Sequence, residues 1–219
     1  KYIFWISVLF VWIISTFADR IWWNFYSNTP SWDQADYLNS ALDHARALSF
    51  LGADGASDFN SLLDKSPKIP PLASIINGAV ITFAGDAPHQ AAWSLSFWNG
   101  FFIFNIASWG LYLSGKKFGL FCVLISACSP FLFNLRTDYV LELPLISAIT
   151  FYLFHLGRWS DKSIGGKWIQ LLIATFACSF SLLIKQSSLL VIIPSLLFVF
   201  VLSFKRDKKF RLQFLCLVL

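Results

Sequence analysis

The stretch Leu72-Ala-Ser-Ile-Ile-Asn77-Gly78-Ala-Val-Ile-Thr-Phe-Ala84 decides how the rest of the chain is arranged. Its 13 residues are apolar enough to enter a bilayer, yet a helix needs about 20 to cross the hydrocarbon core. Asn77 and Gly78 also interrupt the run. Length and composition therefore predict an interfacial or re-entrant helix, not a span. Six longer apolar runs surround it: Tyr2 to Ala18, Ala91 to Ser114, Phe118 to Phe133, Leu143 to Leu156, Trp168 to Ile184 and Ser188 to Phe204. A seventh begins near Phe210.

If Leu72 to Ala84 stays on one side and the N-terminus is inside, the cytoplasmic segments hold 11 of the 17 basic residues and only Asp161 and Asp207 among the acids. The inside then carries +9 and the outside −4, matching the chain's net +5. Every loop obeys the positive-inside rule. If the run did cross, only an outside N-terminus would keep the later basic loops inside, and the first loop would become cytoplasmic. The basic cluster Lys205 to Lys209 reads as a topology anchor beside a helix end, so no nucleic-acid partner is expected.

Composition agrees with this reading. The 219 residues are 57% hydrophobic, 18% aromatic and 13% charged, with mean hydropathy +0.63, a balance that excludes an ordinary soluble domain. The expected fold class is all-α: a multi-pass transmembrane helical bundle with a large first extracytoplasmic loop, about 19–90, carrying amphipathic juxtamembrane helices. The chain opens on Lys1, contains no Met and stops within the short run Phe214 to Leu219, so residues 1–219 are expected to be the N-terminal part of a longer transmembrane domain. The first run lacks a small-residue cleavage site and reads as a retained span. Cys122, Cys128, Cys178 and Cys216 sit within apolar runs without CxxC spacing and read as buried small side chains.

The stretch from Asp19 to Pro71 holds seven of the 12 acidic residues. Within it, Ser31-Trp-Asp-Gln34 reads as a capping box, and Leu38, Leu42, Ala45 and Ser49 continue as an amphipathic helix. Asp33 then falls in the first turn, where free N–H groups favour a carboxylate. Asp33, Asp36 and Tyr37 share one helical face. Capping and solvation would account for the same acids.

Three further clusters face the same compartment. Lys65-Ser-Pro-Lys68-Ile-Pro-Pro-Leu72 holds lysines near the headgroup level, by snorkelling or by binding an anion. Arg136-Thr-Asp138-Tyr-Val-Leu-Glu142-Leu-Pro-Leu places ionisable groups at the entry to an apolar run. Such groups mark a functional site or an interhelical salt bridge. Lys185-Gln186 lies between two apolar runs, either as a hairpin tip or as an anion site. Together these describe an outward-facing pocket suited to a phosphate-bearing substrate and an acceptor that loses a proton to a carboxylate. P-loop, GxGxxG, HExxH and GxSxG motifs do not occur. His44, His89 and His155 show no metal-ligand spacing, and no metal is expected.

The order Trp32-Asp33-x-x-x-Tyr37, then Lys68-x-Pro-Pro-Leu72, then Arg136-x5-Glu142-x-Pro-Leu145, then Leu183-x-Lys185-x4-Leu190 and Pro194, resembles the GT-C glycosyltransferases that use polyprenyl-phosphate sugars. The protein O-mannosyltransferases and lipid A aminoarabinose transferases are the most similar branches. The resemblance runs from Tyr2 to about Pro194 and rests on the order and sidedness of individually weak motifs. It implies inverting transfer from a polyprenyl-phosphate-linked sugar to a protein, lipid or glycan acceptor on the outer face of a bacterial inner or plasma membrane, with no obligatory cofactor. Asp33 would be the catalytic base and Glu142 the second catalytic acid, a glutamate where the family usually has aspartate. Lys68, or Lys65, and Lys185 would lie near the donor phosphate, with Asp36, Tyr37, Arg136 and Asp138 as further substrate-binding candidates. Family members also carry more spans and often a soluble C-terminal domain.

Two rival functions remain. A transporter or flippase of a lipid-linked or small anionic substrate would pair its ionisable residues across helix interiors. A structural membrane subunit would use the same ten Trp and 24 Phe for lipid contact.

Overall fold

The computed structural model describes residues 2–25, 31–48, 70–161 and 168–203. Among these the chain is all-helical. The elements are α1 (Tyr2–Phe25), α2 (Trp32–Leu48), α3 (Leu72–Ala84), α4 (Pro88–Ala91), α5 (Trp93–Ser114), α6 (Lys116–Cys128), α7 (Pro130–Thr137), α8 (Glu142–Ser160), α9 (Trp168–Ile184) and α10 (Leu189–Ser203). A 3-10 turn at Gln186–Ser188 joins α9 to α10. The run near Phe210 and the cluster at Lys205 lie outside the described residues.

Helix α5 is the axis of the bundle. Its Asn99 and Asn105 would be unfavourable against lipid, but both are buried by neighbouring helices. Asn99 Nδ2 donates to Ser15 Oγ of α1 at 3.1 Å, and Asn105 Nδ2 donates to the Ser147 carbonyl of α8 at 3.4 Å. Trp12 Nε1 donates to the Ser96 carbonyl, and Ser147 Oγ donates to the Trp98 carbonyl. Each such bond between apolar helices is worth about 1 kcal/mol.

These contacts also fix direction. Trp12 meets Ser96 while Trp5 stacks on Phe104, so α1 and α5 are antiparallel. Ser147 meets Trp98 while Tyr112 Oη donates to the Asp161 carboxylate, so α5 and α8 are parallel. Glu142 meets Lys185 while His155 meets Gln170, so α8 and α9 are antiparallel. The helices therefore alternate up and down, and the C-terminal ends of α1, α7 and α9 share one end of the bundle with the N-terminal ends of α5 and α8.

Small residues permit the tightest crossings. Gly115, at φ +85, lets α5 turn back into α6. There a Cβ on Gly110 would come within 2.6 Å of Gly119 Cα, so only glycine fits. The run expected over Phe118 to Phe133 is broken in the structure. Pro130 opens a new helix at N1, Ser129 Oγ accepts from the Leu132 N–H at 3.4 Å, and α6 and α7 meet at 61°. The first run, expected to end at Ala18, continues as helix to Phe25.

Helix α3 covers Leu72 to Ala84 as expected from the sequence. It packs chiefly on α2, and the two cap the N-terminal end of α5. The residues that interrupt its apolar run are the ones that dock it: Asn77 Oδ1 accepts from Trp98 Nε1 at 2.7 Å. Gly78 lies against the α2 backbone, where an added Cβ would stand 2.8 Å from Ala45 N and 2.9 Å from the Ala41 carbonyl oxygen.

By length and hydropathy, among the described residues, α1 qualifies alone as a membrane span, and α6 with α7 adds a second if the bent pair is one span. Helices α3, α9 and the segment Gln186–Leu202 are shorter apolar helices. Among the described residues, Asp, Glu, Lys and Arg occur only within about two turns of the two ends of the bundle.

Candidate functional site

One apolar cluster joins the helices at the end of the bundle where α5 and α8 begin. It contains Leu38 and Ala41 of α2, Ala73 and Ile81 of α3, Leu95 and Trp98 of α5, Tyr139 and Leu141 of the α7–α8 connection, Leu143 of α8 and Ile184 of α9. Burial of these side chains is the main force fixing the connection and the α9 terminus, at about 1.5 to 3 kcal/mol for each large one.

Two candidates stand directly beside this cluster. Glu142 opens α8 and Lys185 follows α9, each next in sequence to a fully buried residue, Leu143 and Ile184 respectively. Lys185 Nζ donates to Glu142 Oε1. The sequence shows no acid near Lys185, and the acid that meets it comes from 43 residues away. The pair is half-exposed, with the lysine 30% and the glutamate 42% accessible. Lys185 has three donors, one held by Glu142, so an anion arriving from outside can engage the others.

The loop that delivers Glu142 is anchored by Tyr139. Its side chain is buried, and Ser94 Oγ donates to its hydroxyl at 3.3 Å. Burial pushes the Tyr139 phenol up to about 12. It is therefore a neutral hydroxyl in the physiological range and not a base. Asp138 caps α7 through its backbone N–H, which donates to the Asn134 carbonyl at 2.8 Å, and its side chain is half-buried.

The α2 candidates lie on the cap. The Ser31 carbonyl accepts from the Ala35 N–H at 2.8 Å, and Gln34 Oε1 accepts from the Ser31 N–H at 3.4 Å, one half of the expected capping box. Asp33 and Asp36 are exposed, whereas Tyr37 is half-buried against the shared cluster. Asp33 is thus a free carboxylate on a helix pinned two turns further on by Leu38 and Ala41. Lys65 and Lys68 lie outside the described residues.

Arg136 is placed differently from its companions. It is 4% exposed, and its Nε donates to Asp19 Oδ2 at 2.9 Å, with Asp19 itself 1% exposed. Nη1 donates to the Ala127 carbonyl at 3.2 Å, and the guanidinium lies over Phe133. This is the interhelical salt bridge that the sequence left open, and it ties α1 to α7. The sequence reading missed Asp19 because it placed that residue in a loop. The available signal was the return of apolar residues at Ile21, Trp22, Trp23 and Phe25, which continues the helix past the charges.

Among the described residues, no group of three or more His, Cys, Asp or Glu could hold a metal ion. The arrangement offers an exposed carboxylate on α2 and a carboxylate–ammonium pair between α8 and α9. Proton transfer and anion binding are the chemistries available to it. No family model, curated protein or solved structure matches the chain.

Proposed function

We propose that this chain is part of a multi-pass membrane glycosyltransferase of the GT-C kind, taking sugar from a polyprenyl-phosphate donor at its outer face. The observation that carries the reading is the meeting of Glu142 and Lys185, two residues singled out by separate motifs, at the bundle end capped by the Asp33 helix. Large apolar side chains exposed along α1, α9 and α10, among them Phe10, Phe17, Phe176 and Leu197, support placement in a bilayer. So does the absence of Asp, Glu, Lys and Arg between the two ends among the described residues.

In this reading Asp33 takes the acceptor's proton as the acceptor attacks the anomeric carbon. Lys185 neutralises the departing polyprenyl phosphate. Glu142 holds Lys185 in place until the donor's phosphate arrives. The test is transfer of labelled sugar from a polyprenyl-phosphate donor by the full protein in membranes, compared with Asp33→Asn. Loss of transfer with retained folding supports the reading, and undiminished turnover rejects Asp33 as the base.

The buried Asp19–Arg136 pair favours a second reading, a transporter or flippase of a lipid-linked or small anionic substrate, since such proteins pair charges between helices. Labelling of single cysteines at Ser61, Ser187 and Ser163 in intact cells separates the two. Labelling at Ser61 and Ser187 but not at Ser163 supports the enzyme. Protection of Ser61 while Ser187 labels splits the site between compartments and supports the transporter.

A further inference from the structure

The outer end of α1 carries a set of buried polar atoms that the Glu142–Lys185 site does not use. Thr16, Asp19 and Arg20 lie on one face of α1, at i, i+3 and i+4. Ser96 of α5 lies between the levels of Trp12 and Arg20, since Trp12 bonds its carbonyl and Arg20 lies over Trp93. Thr16 Oγ1, Asp19 Oδ1, Ser96 Oγ, Arg20 Nε and Arg20 Nη2 are all buried and have no hydrogen-bond partner. A single orphan is unremarkable, but the four donors at this junction, Thr16 Oγ1, Ser96 Oγ, Arg20 Nε and Arg20 Nη2, are costly together, each at about 1 to 3 kcal/mol, unless an acceptor answers them. Asp19 Oδ1 is itself an acceptor, which an anion does not satisfy.

The two Arg20 atoms identify what would answer. Its Nη1 donates to the His89 carbonyl at 3.2 Å, and its plane is held 5.2 Å from the Trp93 ring centroid. The guanidinium is therefore oriented by protein contacts that leave its Nε and Nη2 edge unpaired. Those two N–H groups are parallel, the geometry that grips two oxygens of a phosphate or carboxylate. Asp19 and Arg136 neutralise each other, so Arg20 is the excess cation of the group. Outside it stand the exposed side chains of Phe17, Ile21, Trp93 and Phe97. These suit an acyl chain.

We propose that Arg20, with Thr16 and Ser96, binds the phosphate of an anionic membrane lipid at the outer end of α1, against α5 and apart from the Glu142–Lys185 pair. The assignment rests on the membrane placement above and is independent of the transfer reaction.

The test reconstitutes the full chain in phosphatidylcholine vesicles with and without phosphatidylglycerol, and measures lipid retained after detergent extraction by native mass spectrometry. Wild type should retain phosphatidylglycerol over phosphatidylcholine about tenfold. Arg20→Gln should abolish that preference. Arg20→Lys keeps the charge without the parallel donors and should lose most of it, and it carries the test alone if the glutamine variant fails to fold. Equal retention by wild type and Arg20→Lys overturns the proposal. Thermal stabilisation by inorganic phosphate as large as that by phosphatidylglycerol also overturns it, because a free anion would then suffice. Failure to associate with vesicles of either composition rejects the membrane placement itself, whereas association without an anionic preference rejects only the site.

Discussion

Lys185 Nζ is bonded to Glu142 Oε1, so the residue expected to meet the donor's phosphate is already held by a carboxylate. Phosphate and Glu142 must compete for the same ammonium. Glu142→Gln removes the competing charge and should tighten binding of a polyprenyl phosphate several-fold while lowering transfer. Lys185→Gln should weaken binding by about tenfold. Equilibrium binding to detergent-solubilised protein reads both effects. Weaker binding by Glu142→Gln would show that Glu142 assists the anion instead of opposing it. Because the pair is half-exposed, neither change should cost more than about 1 kcal/mol of stability.

Asp33 is exposed in the first turn of α2 and supports no packing. Asp33→Asn should therefore cost no more than the first-turn charge effect of about 0.3 to 1 kcal/mol in stability while reducing transfer by about 10² to 10⁴-fold, the range set by loss of a general base. Asp36→Asn, equally exposed on the same helix and a candidate for binding substrate without taking the proton, should reduce transfer far less. Equal losses in the two variants would assign the effect to the charge of the cap and not to one proton acceptor.

How far the sequence foretells this structure depends on whether a feature is local. The bounds of α3 and α9 were legible because length, apolar run and flanking breaks all lie within the segment. The 61° break at Ser129-Pro130 was also locally encoded, by a proline at N1 preceded by a serine cap, but the unbroken hydrophobicity on both sides concealed it. Asp19 with Arg136 and Glu142 with Lys185 were illegible as pairs. Their partners are 117 and 43 residues apart, and nothing in either segment names the other. The candidate residues were found by type and by position beside apolar runs, while their partners required the fold.

The Asp19–Arg136 bridge makes a stability prediction of the opposite kind from Glu142–Lys185. Both groups are buried, so removing one leaves an uncompensated charge. Asp19→Asn or Arg136→Gln should each destabilise by about 3 to 5 kcal/mol. Replacing both with apolar residues of similar volume, Asp19→Leu with Arg136→Met, should recover most of that loss. Thermal unfolding of the three variants in detergent gives the comparison. A double variant as unstable as the singles would mean that the pair itself, and not the unpaired charge, holds α1 against α7.

Gly78 tests whether the cap on the bundle depends on backbone approach. An added Cβ there would stand 2.8 Å from Ala45 N and 2.9 Å from the Ala41 carbonyl oxygen, and both are backbone atoms in the middle of α2 that cannot yield separately. Gly78→Val should force the two helices apart and free α2, while the bundle below, joined through α5, α8 and α9, keeps its own core of Tyr152, Trp159 and Leu171. Limited proteolysis should then cut within residues 32–48 much faster than in wild type, and transfer should fall because Asp33 rides on the released helix. Gly78→Ala meets the same atoms with one methyl and should give the smaller change. Unchanged proteolysis in both variants would mean that α2 is held by the apolar cluster it shares with Tyr139, with the Gly78 crossing contributing nothing.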